Sequence, residues 1–76
     1  MLSFELRKHK VEGPDELEIY LDDKGLESLM AQLNFLREAK TDHVHLMSDA
    51  WGGGDLNDRP VFPENSMVQH VKISKI

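Results

Sequence analysis

Apolar and polar positions alternate at the start of the chain, with Leu2, Phe4 and Leu6 separated by Ser3, Glu5 and Arg7. A period of two puts the first set on one face of a β-strand and the second on the other. The alternation returns at Leu17, Ile19 and Leu21, with Glu16, Glu18, Tyr20 and Asp22 facing the opposite way. Between the runs, Glu12-Gly13-Pro14-Asp15 supplies turn chemistry, because Gly tolerates positive φ and Pro presets its own. The two runs and their turn predict a β-hairpin.

The period then changes. Leu26, Leu29, Met30, Leu33 and Leu36 form one apolar stripe at helical spacing. Either Asp22 or Asp23 can cap the helix by accepting a backbone N–H, and both suit its positive N-terminal dipole. Arg37 and Lys40 suit the negative end. A helix over about residues 23 to 39 follows. Phe35 points roughly opposite Leu26, with Ala31 and Ala39 one turn to either side. It reads as a lone surface aromatic or as a contact for a partner or a second copy.

Strand alternation resumes in His43-Val44-His45-Leu46-Met47, with Val44 and Leu46 inward, and again from Met67 to Ile76, with Val71 and Ile73 inward. Between them, residues 49 to 66 hold three Gly, two Pro and two Asn, a longer connection than two strands need and therefore a candidate for function. The elements predict a single α+β domain over residues 1–76. Its fold is a two-layer ββαββ sandwich, a four-stranded, mainly antiparallel sheet with one helix on one face. Strand order 2-1-3-4 would let the sheet be wholly antiparallel. In this arrangement the helix stripe packs on Phe4, Leu6, Ile19, Leu21, Val44, Leu46, Val71 and Ile73.

Length changes the picture by exclusion. Seventy-six residues, 8.7 kDa, leave no room for a two-lobed enzyme or a doubly wound nucleotide-binding sheet. The absence of Cys removes disulfides and thiolate metal sites. No apolar stretch approaches the length of a membrane span or a signal-peptide core, and a cytoplasmic protein is expected. A core this small gives marginal stability, to which homodimer formation would add.

The net charge of −5 argues against nucleic acid, which needs a concentrated basic patch. Arg7, Lys8 and Lys10 cluster, but from Glu12 to Asp23 there are six acids and no base. An acidic surface suits a basic protein partner, whose encounter it speeds; it also serves solubility alone.

Two groups of residues bear on chemistry. His43 and His45 share a strand face, and the strand phases put His9 and His70 on the same uncovered side. Imidazoles so placed can ligate zinc, yet a complete ligand set is not readable, and His43, His45 and His70 stand as weak metal candidates beside solvated histidines. Trp51-Gly52-Gly53-Gly54-Asp55 lacks the Lys of a phosphate loop, and Asp49, Asp55 and Asp58 would repel phosphate. Its glycines permit a tight reversal that folds Trp51 back as a structural anchor, or else Trp51 is an exposed contact. Asp49, Trp51, Asp55 and Asp58 are the candidate partner surface. Catalysis finds no nucleophile and no carboxylate pair set in an apolar pocket, so neither an enzyme nor a cofactor is expected.

Asp23-Lys24-Gly25-Leu26, the leucines at 29, 33 and 36, His43-Val44-His45-Leu46-Met47-Ser48 and Trp51-Gly52-Gly53-Gly54-Asp55-Leu56 together resemble the immunity protein 32 family, over roughly residues 20 to 76. The resemblance implies a small α+β protein that neutralises a cognate toxin of a bacterial polymorphic toxin system and is encoded beside the toxin gene. It carries over no toxin-contact residues. The competing reading is a small metal- or ligand-binding module using the histidine face.

Overall fold

A computed structural model describes residues 1–8 and 15–76. The turn at Glu12-Gly13-Pro14 and the predicted position of His9 lie outside the described residues. The fold is α+β, with one α-helix and antiparallel strands in two sheets among the described residues. β1 (Leu2–Arg7) and β2 (Glu16–Leu21) pair antiparallel as the alternation predicts, Phe4 opposite Ile19. α1 (Asp23–Arg37) follows at once. Asp22 caps it in extended conformation, its carboxylate accepting the Gly25 N–H at 2.8 Å. β3 (His43–Met47) leads through a 3-10 turn, Asp49–Trp51, into the long connection. The last apolar run divides into β4 (Ser66–Met67) and β5 (His70–Ser74).

This division replaces the single four-stranded sheet. Among the described residues β1 is flanked by β2 and β4, while β3 pairs with β5, so order 2-1-3-4 does not form. The final segment joins the two sheets. Val68 N–H donates to the Phe4 carbonyl, and Ser48 N–H donates to the Gln69 carbonyl, so successive residues serve β1 and then β3. The molecule is elongated, 42 × 25 × 23 Å.

The core is smaller than the pattern implies. Leu2, Phe4, Leu46 and Leu56 are buried together, with Leu29, Val68, Val71 and Ile73 packed against them in part. Val44 and Leu36 are also buried, but Ile19 and Leu21 are not, and on the helix Leu26, Met30 and Leu33 stay in solvent. The helix is turned about its axis so that Gly25, Leu29 and Leu36 face inward. Gly25 fixes that rotation: a Cβ there would stand 1.8 Å from the Met1 carbonyl oxygen.

Candidate functional site

The connection from Asp49 to Asn65 is no slack loop. Leu56 enters the core and bridges Ser48, while Asn57 N–H donates to the Leu2 carbonyl at 2.8 Å. The 3-10 turn is closed by Trp51 N–H and Gly53 N–H, both donating to the Ser48 carbonyl at 3.0 Å, and by Gly52 N–H to Asp49 at 3.0 Å. Gly52 takes the left-handed conformation that ends the turn, φ 90°, and Gly53 lies so close that its Cβ would meet the Met47 carbonyl oxygen at 2.5 Å.

The glycines do not fold Trp51 inward. Its side chain is 62% exposed, and the anchoring role falls to Leu56. The anchor reading of Trp51 is therefore corrected, because the turn ends at Gly52 before the chain can bring the indole back to the sheet. Asp49 shares the turn with Trp51 and is exposed. Asp55 turns back and accepts the Met47 N–H at 3.2 Å, which makes it a support of the turn. Asp58 is exposed beyond Leu56. The candidate surface is thus an exposed indole with an acid beside it on a backbone held at several points, and Asp55 belongs to its scaffold.

The histidines meet as the strand phases predict for His43, His45 and His70. His45 Nδ1 stands 2.7 Å from His70 Nε2, and the His43 and His45 rings are 5.0 Å apart, edge to face. Desolvation, followed by the nearby His70, His43 and Lys72, pushes His45 below its usual value and favours its neutral form. His43 Nδ1 is 2.6 Å from Asp42 Oδ1. Among the described residues no three His, Asp or Glu side chains converge to hold a metal ion. The facing nitrogens of His45 and His70 engage each other, so both would have to turn to share a cation.

The alternating pattern gives no sign of Glu5. Its place on the polar side of β1 predicts exposure, yet it is fully buried, because residues 61–65 cover that side of the hairpin. Its carboxylate accepts Val61 N–H at 2.7 Å, Phe62 N–H at 3.3 Å, Asn65 Nδ2–H at 3.0 Å and the Ser3 hydroxyl. Burial pushes its pKa up, but these four donors outweigh burial and hold it below the usual carboxylate range. Asn65 also donates to Glu18, 3.0 Å away. Glu18 accepts from Arg7 Nε at 3.0 Å and from the Tyr20 hydroxyl at 2.7 Å, which brings its pKa down to about 2. Phe62 closes the group, its ring 5.3 Å from Tyr20 and 5.6 Å from the Arg7 guanidinium carbon.

This network clamps a loop. Its carboxylates face neighbouring donors. A depression near the C-terminus, lined by Ala39, Thr41, Asp42, Lys75 and Ile76, is open to solvent. No protein-family model matches the chain, and neither a curated protein nor a solved structure matches it.

Proposed function

We propose that the protein is an inhibitor of immunity type that neutralises a basic toxin by occlusion, with Asp49 and Trp51 at the centre of the contact and Asp58 at its margin. The observation that carries this reading is Trp51, largely in solvent on a turn whose backbone is already tied down. A rigid exposed indole gives affinity with little ordering cost, because the backbone loses no further freedom on binding. Neighbouring acids and the net charge of −5 favour fast encounter with a positive surface. Occlusion needs no cofactor and no catalytic group. The toxin assignment leans on the motif resemblance across residues 20 to 76.

The test uses the protein encoded by the reading frame adjacent to this gene. Its C-terminal domain, expressed alone, should arrest growth, and co-expression of the present protein should restore it through a stable complex. Trp51→Ala should speed dissociation at least tenfold without lowering the melting temperature. A folded Trp51→Ala protein that binds at full strength removes the contact from this surface.

The histidine face supports a second reading, a metal- or ligand-binding module, because His43, His45 and His70 gather in solvent. A melting temperature that rises with added Zn²⁺ and stays flat in a His45→Ala variant would favour it.

A further inference from the structure

Two rows of apolar side chains lie in solvent. Leu17, Ile19 and Leu21 form one on β2, and Leu26, Met30 and Leu33 form the other on α1; each is between 36% and 54% exposed. The register places Leu17, Ile19 and Leu21 opposite Leu6, Phe4 and Leu2, so they share the sheet face that bears the core. The helix covers them only at one end. Its first turn rests on Met1 and on Leu21, and its last turn reaches Lys75, just beyond β5, whose Nζ donates to the Leu36 carbonyl at 3.5 Å. The helical row lies roughly a quarter turn around the axis from the inward line of Gly25, Leu29 and Leu36, at 100° per residue. Within one chain the two rows leave each other exposed.

We infer that a second copy of this chain covers them, the β2 row of each copy packing on the α1 row of the other about a two-fold axis. Each row has the character that the other requires, an apolar half-sheet and an apolar helix flank, which are the two layers of an α+β core. A two-fold axis makes the exchange reciprocal and closes the assembly. Charge fits as well. The exposed Asp15 stands just before β2, two residues ahead of Leu17, and the helical row ends with the exposed Arg37, one turn beyond Leu33. Aligned head to tail, the rows match three apolar pairs and one Asp–Arg pair.

Size points to the same occupant. Six such side chains present on the order of 500 Å² per copy, and with a polar rim this approaches the ~800 Å² per partner of a stable interface. The radius of gyration, 13.4 Å, exceeds the roughly 11 Å of a compact chain of this length, as expected of a subunit shaped to embrace another. This association uses a surface other than Trp51 and does not rest on the proposed inhibition.

Sedimentation equilibrium from about 1 to 100 µM should return twice the chain mass of 8.7 kDa. Ile19→Lys and Met30→Lys should each sediment as monomers at 100 µM while keeping their helical circular dichroism. Arg37→Asp should weaken the dimer about tenfold, and Asp15→Arg in the same chain should restore it. The chain has no Cys, which allows a second measurement that tolerates poorly folding lysine variants. Ile19→Cys mixed with Met30→Cys should form a disulfide between copies, whereas Ile19→Cys alone should not. A monomer throughout the concentration range overturns the inference. So does a dimer that both lysine variants leave intact, or one in which Ile19→Cys cross-links only to itself, which would mean edge-to-edge pairing of β2.

Discussion

His45 and His70 face each other across the β3–β5 pair: Nδ1 of the first stands 2.7 Å from Nε2 of the second. Charging both would set two cations against each other, in agreement with the lowered His45 pKa. A folded-state pKa below the unfolded 6.5 means that the unfolded chain binds the proton first. This contribution to stability is complete above pH 6.5 and is lost as pH falls through the folded value. Imidazole proton shifts followed by NMR should show His45 titrating below 6.5. His70→Ala should move that midpoint upward; an unchanged midpoint would exclude coupling between the rings.

Glu5 holds residues 61–65 by three hydrogen bonds and accepts a fourth from Ser3, so Glu5→Gln turns an amide donor towards groups that already donate. A loss of about 1–3 kcal/mol is expected, the penalty for leaving buried polar groups unpaired. Urea titration measures it. Amide exchange at Val61 and Phe62 should accelerate in the same variant, and a loss under about 0.5 kcal/mol would mean that the carboxylate does not clamp the loop.

Acid should open the same region. Glu5 and Glu18 both have pKa values lowered by the fold, Glu18 to about 2 from 4.5. The stability that they confer is therefore present above the unfolded pKa and lost as pH falls through the folded one. Melting temperature should decline between about pH 4.5 and 2, and Glu18→Gln should flatten part of that decline.

Gly25→Ala sets two effects in opposition. Ala favours a helix interior by about 1 kcal/mol over Gly. Against this, the new Cβ meets the Met1 carbonyl at 1.8 Å, a backbone atom that cannot swing away. Overpacking should win, with a net loss of about 1–3 kcal/mol and a lower melting temperature.

Trp51 is the only Trp, so its fluorescence reports the turn without ambiguity. Native emission should have the red-shifted maximum of an indole in water, and acrylamide should quench it nearly as fast as in urea. Trp51→Ala should change stability by less than about 0.5 kcal/mol, as for other exposed positions without special contacts.

The hairpin and the helix were legible because their signals are local: alternation on both strands, an aspartate cap and one apolar stripe. The layer arrangement was not. Helix rotation depends on the Met1 carbonyl meeting Gly25, and the spacing of apolar residues between 22 and 37 gives no sign of that contact. Glu5 alternates just as Arg7 and Glu18 do, so no pattern within β1 separates a buried acid from a solvated one. The split of the final strand arises where Val68 and Gln69 turn to different partners. For the candidate surface, Trp51 was legible as a contact or an anchor, and its exposure removes the anchor.

The donors to Glu5 from the covering loop lie 56 to 60 positions downstream. At ~5–20 residues per second, the ribosome releases β1 roughly 3–12 s before the segment that shelters its acid. Until then the nascent hairpin carries an ionised, hydrated Glu5 on an open face, which discourages premature stacking of that face on other chains. Closure of the carboxylate thus waits for a segment made well after β1, which must fold back on that strand.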